Sequence, residues 1–301
     1  MDFKSWSAER AAHFELCAKK ALPPDNRLPW KLHEAMRYAV LDGGKRIRPL
    51  LAYASGELVG ADEGALDHIA LALEYIHSYS LVHDDMPCMD NDTLRRGKLT
   101  THRKYGEAMG MLTGDALQAQ AFYELTQTKL SGEQIATLVK LLSTAAGSVG
   151  MCGGQAVDLL SVHQKLDLDT LTLMHRLKTG AMIRASALMG LYAAKEMPPV
   201  ALIAQIIQYA DAIGLAFQVI DDILDVTADT KVLGKTAGKD AAEDKPTYVS
   251  ILGLEQSRTM AQNEINKALQ ALETIEQLAQ NYQGKTVRLA EIARYILSRD
   301  H

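Results

Sequence analysis

The chain is poor in cysteine. Cys17, Cys88 and Cys152 are an odd, scattered set in 301 residues, with no Cys-x-x-Cys pair. A disulfide framework is excluded, and a reducing, cytoplasmic setting fits. Cys88 lies inside an acidic stretch, where it reads as a small filler rather than a redox centre. There is no basic excess either. The formal net charge is -5, so no nucleic-acid partner is expected. No stretch reaches the roughly 18 uninterrupted apolar residues of a membrane span. The run from Leu66 to Val82 is broken by Asp67, His68, Glu74 and His77. It reads as a buried helix of a soluble protein without stable membrane insertion. The N-terminus, Met1 to Trp6, lacks the cationic start and apolar core of a secretory signal. The chain also has no evident strand run, short repeat, low-complexity tract or linker. A Gly-x-x-x-x-Gly-Lys-Ser/Thr phosphate loop is missing too.

What is present is 48% hydrophobic residues, enough for a large core. Helical spacing of apolar residues predicts helices over 5–20, 30–41, 50–59, 66–84, 102–129, 132–148, 169–192, 200–226, 255–278 and 286–297. The expected fold is therefore all-α, one large helical domain over residues 1–301. Pro49 suits the first position of its helix. Thr227 to Lys245 is polar and without period, and so long a loop is uncommon unless it has a job. It reads as a mobile lid carrying cations.

Two aspartate-rich stretches dominate. Asp84-Asp85 opens the first, with Asp90 behind; Asp221-Asp222 opens the second, with Asp225 behind. Each doublet directly follows a long apolar helical run. Carboxylates there are costly to desolvate unless a positive charge compensates them. A solvated helix end is the commoner fate of one such doublet; the duplication favours a pair of cation sites. With no His or Cys in either set, the oxygens select a hard ion such as Mg²⁺. Asp221 and Asp225, four apart, share a helix face. Pro87 has no N–H to give the carbonyl of His83, so the helix should bulge or end there and let Asp90 swing back toward Asp84.

Cations are placed to match. Gly43-Gly44-Lys45-Arg46-Ile47-Arg48-Pro49 puts two flexible glycines and three cations at a helix start, a good anion seat. His77 lies two turns before Asp84. Arg95-Arg96 is a forked pair suited to phosphate oxygens, or simply salt-bridged to the aspartates. Gly180, after Lys178-Thr179 in mid-helix, is a kink or a close packing point, the latter being the commoner case. Together these features suit a diphosphate head above an apolar chamber.

At this point the ordered set of motifs resembles the bacterial short-chain trans-prenyl diphosphate synthases, nearest to those making farnesyl diphosphate. The likeness runs nearly end to end. It takes in 43–49, His77, 84–90, 95–97, Gly114-Asp115-Ala116-Leu117, Gly153-Gly154-Gln155, 178–180, Phe217-Gln218, 221–225 and Gly234-Lys235. It implies an isoprenoid-synthase bundle around a central cavity, usually a homodimer. It also implies head-to-tail condensation of isopentenyl diphosphate with an allylic diphosphate (dimethylallyl or geranyl). Asp84 and Asp90, with Asp85 supporting, would hold two Mg²⁺ ions. Asp221, with Asp222 and Asp225 as outer partners, would hold a third. Arg95, Lys178 and Lys235 would contact the allylic diphosphate, with lid residue Lys245 also a substrate-binding candidate. Lys45, Arg48, His77 and Arg96 would bind isopentenyl diphosphate, with Arg299 a further candidate. Thr179 and Gln218 would face the carbocation. Tyr79, five residues and about 7.5 Å before Asp84 along a helix, would floor the cavity beside small Ser80. Asn91 and Cys88 are mild departures from the family pattern and remove no metal ligand. The alternatives are a geranyl or geranylgeranyl diphosphate synthase, which would keep every motif but the floor, or a non-catalytic subunit of a heteromeric synthase, which should have lost acidic or basic positions.

Overall fold

The computed structural model describes residues 2–162, 164–227 and 246–299. Lys235, Lys245 and all but the first residue of the expected lid lie outside them. The fold is all-α. In chain order the long helices are α1 (Phe3–Ala21), α2 (Trp30–Val40), α3 (Ile47–Val59), α4 (Glu63–Asp84), α6 (Glu107–Thr126), α7 (Gly132–Ala146), α8 (Met151–Leu160), α10 (Ala181–Tyr192), α11 (Val200–Thr227), α13 (Leu254–Leu278) and α14 (Val287–Ser298). Short α5 (Thr101–Tyr105), α9 (Leu168–His175) and α12 (Tyr248–Leu252) fill the connections.

Helix ends follow local chemistry. Asp2 caps α1 by accepting the Ser5 N–H at 2.8 Å. Ser131 and Gln134 form a capping box on α7. Gly60, at φ 68°, closes α3 in the left-handed region that glycine adopts freely.

Three expectations need correction. The helix predicted over 102–129 is broken at Gly106, whose φ of 90° ends α5 and whose backbone then starts α6. Pro49 is the third residue of α3 rather than the first, because Ile47 and Arg48 are already helical. And one β-ribbon exists: Leu94–Arg95 pairs antiparallel with Lys98–Leu99. Arg96 and Gly97, both at positive φ, make its two-residue turn. Such a turn needs left-handed backbone at both central positions, which periodicity cannot reveal.

The main core runs from Trp6 to Ile296. α4 is sunk in it, with Ile69 to Ile76 buried without a break. α6 lies along α4, α10 along α3, and α13 along α11. Backbones meet closely where glycine allows it. A Cβ on Gly190 would lie 2.2 Å from the Ala52 carbonyl oxygen and 2.4 Å from the Ser55 hydroxyl. Gly190→Ala should therefore push α10 off α3 and cost roughly 1–3 kcal/mol, read as a lower denaturation midpoint. An unchanged midpoint would mean the two helices separate freely.

Two stretches, Gly132–Leu160 and Val200–Thr227, are long and apolar enough to cross a membrane by length and composition. Neither is an uninterrupted apolar helix. The first is α7 and α8 with a break at Gly147 to Gly150. The second is α11, which carries Asp211 and the whole second aspartate stretch and packs along α13.

Candidate active site

α4 delivers the first aspartate stretch. Asp84 is its last residue and Asp85 its C-cap. Past Pro87 the chain doubles back: the Asp90 N–H donates to the Asp84 carbonyl at 2.8 Å, and the Asn91 N–H to that of Met86 at 3.1 Å. Asp90 thus returns beside Asp84 through backbone hydrogen bonds. Cys88 is exposed, so it fills no packed space.

Asp84 opens into a cavity of about 400 Å³. Of the residues predicted for the site, the walls gather Arg48, His77, Tyr79, Ser80, Lys178 and Thr179. Met151, Cys152, Ala156 and Leu159 supply much of the apolar lining. The Tyr79 hydroxyl lies 3.5 Å from the Cys152 sulfur, so α4 and α8 meet at this wall.

Lys178 comes from a π-turn, Arg176–Gly180, set between α9 and α10. The extra residue per turn is how a mid-helix side chain is re-aimed, and such bulges favour functional sites. The turn fits because of two glycines. A Cβ on Gly154 would lie 2.2 Å from the Lys178 nitrogen, and one on Gly214 would lie 3.1 Å from Gly180 Cα. Kink and close packing, alternatives in the sequence, coexist here. Lys178 Nζ donates to Asp158 at 2.6 Å. Asp158, half-buried on α8, carries no signal in the sequence beyond lying three residues after Gln155.

The basic residues divide. Arg95 is committed to the buried Asp85, its Nε 2.7 and 2.9 Å from the two carboxylate oxygens and its Nη2 2.6 Å from one of them. Arg96 stands on the Gly43-Gly44 backbone: a Cβ on Gly44 would meet its guanidinium at 2.7–2.9 Å. The glycine pair thus makes room for this arginine. Arg46 leaves the expected anion seat. It is buried, paired with Glu74 at 2.7 Å and with Glu15, and stacked 4.8 Å over Phe14. Arg48 remains on the cavity wall, and its buried Nε has no hydrogen-bond partner among the described residues. Burial holds its guanidinium, and the Lys45 ammonium, below their ordinary values. Burial also keeps the His77 imidazole neutral well below its usual range, reinforced by Arg48, Arg96, Arg95 and Arg46. So dense a set of cations calls for an anionic ligand.

In the second stretch each aspartate has its own situation. Asp221 pairs with Arg299, whose guanidinium also donates to the Phe217 carbonyl at 2.6 Å and lies 3.7 Å over the Phe217 ring. The Asp222 carboxylate accepts the Tyr248 backbone N–H at 2.7 Å and so anchors α12. Asp225 is buried with neither oxygen hydrogen-bonded among the described residues. Gln218, partly buried one turn ahead of Asp221 and Asp222, is outside the lining of the cavity. Lys45 and Arg48 both lie within the electrostatic reach of Asp221.

These donors fit a hard divalent cation. They are all carboxylate oxygens, and Asp225 is buried without the partners a carboxylate requires. Asp84 points the same way. Burial pushes its carboxyl up to about 6; Lys178 opposes this and Asp90 adds to it. The folded value lies above the ordinary 3.8, so the folded chain holds a proton here that the unfolded chain releases. This contribution to metal-free stability is complete below about pH 4 and fades as pH rises through 6. A cation held by Asp84 would need the carboxylate, so proton and Mg²⁺ would compete below pH 6. Apparent Mg²⁺ affinity should fall about tenfold between pH 7 and pH 5, read by calorimetric titration without substrate. A flat profile would mean Asp84 is already ionised at pH 5.

The fold and this site define a class: an all-α protein that holds acidic, cation-seeking groups and a set of arginines and lysines around an apolar chamber. The chain belongs to the polyprenyl synthetase family, whose model matches residues 29–283. It is 48% identical over 245 residues to the farnesyl diphosphate synthase of Haemophilus influenzae, covering 81% of this chain and 83% of that protein. With the farnesyl diphosphate synthase of Escherichia coli it shares 45% over 296 residues, 95% of this chain and 97% of the other. A crystal structure of geranyltransferase from Helicobacter pylori, complexed with magnesium and isoprenyl diphosphate, superposes with a TM-score of 0.85 at 35% identity, covering 97% of each chain.

Proposed function

We propose that the protein is a farnesyl diphosphate synthase, acting as one domain on isopentenyl diphosphate and an allylic diphosphate. One observation carries this reading. Asp84, Arg48, His77 and Lys178 line the same cavity as Tyr79, Met151 and Leu159, so anion-handling groups and apolar wall belong to one chamber. Relatives of this identity carry the same name over nearly the same length.

Asp84 and Asp90 are the proposed seats of two Mg²⁺ ions, with Asp85 supporting through its grip on Arg95. Asp221 is the proposed seat of a third, with Asp222 fixing α12 and Asp225 behind it. Bound Mg²⁺ supplies neutralisation of the diphosphate and so eases its departure. Lys178, Arg95 and Lys235 position the allylic diphosphate; Lys45, Arg48, His77, Arg96 and Lys245 are the remaining substrate contacts. The allylic C–O bond breaks and its electron pair leaves with diphosphate. The double bond of isopentenyl diphosphate then attacks the allylic cation, forming the new C–C bond. A proton is lost from the adjacent carbon, with the departed diphosphate as base. Thr179, on the cavity wall, offers an oxygen dipole toward the cation, and Gln218, outside that lining, is the second candidate for this role.

A homodimer suits the surface: Leu112, Ala119 and Tyr123 form an exposed stripe along α6. Such a face is usually covered by a partner. The cytoplasm is the proposed location.

The deciding experiment incubates purified protein with Mg²⁺, isopentenyl diphosphate and dimethylallyl diphosphate and resolves products by chain length. A C15 product, absent with EDTA, is expected. C10 or C20 would keep the reaction and change the product; no condensation by folded protein would overturn the reading.

A further inference from the structure

Seventeen residues before Asp84, about 25 Å back along α4 at 1.5 Å per residue, lies a second cluster of metal-ligating groups. His13 and Cys17, four apart on α1, face Asp67 on α4. The His13 Nε2 is 2.8 Å from Asp67 Oδ1, and the Cys17 sulfur is 3.6 Å from the same nitrogen. All three ligand atoms lie within 4.8 Å of one another. His13 and Cys17, on α1, lie outside the 29–283 family match, whereas Asp67 lies inside it.

We propose that His13, Cys17 and Asp67 form a peripheral binding site for a zinc-like divalent cation, which fastens α1 to α4. The donor set decides the metal. A thiolate and an imidazole beside one carboxylate select a borderline-soft ion over Mg²⁺, which the all-oxygen aspartate stretches prefer. The spacing is close to what such an ion needs. A tetrahedral centre with ordinary Zn–S and Zn–N lengths places sulfur and nitrogen about 3.5 Å apart and nitrogen and oxygen about 3.3 Å apart. The sulfur–nitrogen separation is already there; the nitrogen–oxygen pair must open by about 0.5 Å.

The surroundings supply the usual outer partners. The Tyr53 hydroxyl, from buried α3, donates to Asp67 Oδ1 at 2.7 Å and fixes the carboxylate. The Tyr53 ring stands edge-on to His13, with centroids 6.2 Å apart. Arg10 lies over Tyr53 at 5.3 Å, but its charge is met by Glu57 at 2.9 Å and by Glu63. His13 keeps 35% and Asp67 18% of side-chain exposure, leaving an entry path and room for a water as fourth ligand.

The test uses the full chain with Cys88→Ser and Cys152→Ser, so that Cys17 is the sole thiol. Mg²⁺ in excess occupies the aspartate stretches, and Co²⁺ is titrated in under reducing conditions. A near-ultraviolet thiolate-to-cobalt band should grow to saturation at one equivalent and vanish on adding Zn²⁺. His13→Gln and Asp67→Asn, each checked for native circular dichroism, should weaken the Co²⁺ affinity roughly tenfold or more. Zn²⁺ should also raise the melting temperature of the parent and leave that of Cys17→Ser unchanged. The proposal is overturned if folded protein gives no thiolate band, if both variants bind Co²⁺ as tightly as the parent, or if Zn²⁺ stabilises Cys17→Ser equally.

Discussion

Asp84→Ala should lower the turnover of condensation by about a thousandfold or more at saturating Mg²⁺ and substrates, with the helical content intact. The residue ends α4 at the mouth of the cavity, where it meets Asp90 and feels Lys178. Removing it takes away a proposed Mg²⁺ ligand where charge develops on the departing diphosphate, and such electrostatic support amounts to several kcal/mol. At about 1.4 kcal/mol per factor of ten, that is a thousandfold or beyond. Stability should move the other way. Burial raises the Asp84 carboxyl, so at pH 7 its charge is a burden on the metal-free fold. The variant should melt no lower than the parent in EDTA, and possession of Mg²⁺ should stabilise the parent more than the variant. Turnover falling less than tenfold would shift the main role to Asp90 and the second stretch. Asp85→Asn makes a different change, since it chiefly releases Arg95 from its paired hydrogen bonds.

Tyr79→Ala should lengthen the products beyond C15. Tyr79 is 5% exposed and shares the cavity wall with Ser80, Met151 and Leu159. Its ring stands edge-on to His83, with centroids 5.8 Å apart, and its hydroxyl meets Cys152. His83 is itself held, Nε2 to the Met111 carbonyl at 3.0 Å, where Gly114 leaves room for the ring. A framed aromatic cannot swing aside for a growing chain, so its volume sets a limit that truncation removes. Products would be separated by chain length after prolonged incubation with excess isopentenyl diphosphate. An unchanged distribution would remove Tyr79 from this role and place the limit on α8, at Met151 or Leu159.

Much of the architecture was legible because helices declare themselves locally. The apolar spacing of α4 and α11, and the two aspartate stretches directly after apolar runs, need no knowledge of what packs where. Pro87 foretold the end of α4 in the same way, since a missing N–H acts on its own turn. Periodicity could not foretell the break at Gly106 or the ribbon turn at Arg96-Gly97, which depend on left-handed backbone at single residues.

The sequence by itself determined the residue types of the site: carboxylates in pairs, forked arginines, and glycines beside both. Only the tertiary structure decided what each one does. Arg46, inside the motif read as an anion seat, belongs instead to Glu15 and Glu74, 31 and 28 residues away. Gly43-Gly44 serves Arg96, Gly154 serves Lys178, and Asp221 meets Arg299 from the far end of the chain. The physical reason is common to all of them. A charge or a gap acts over a few ångströms of space, whatever the separation along the chain, and local spacing carries no information about which distant residue will arrive there.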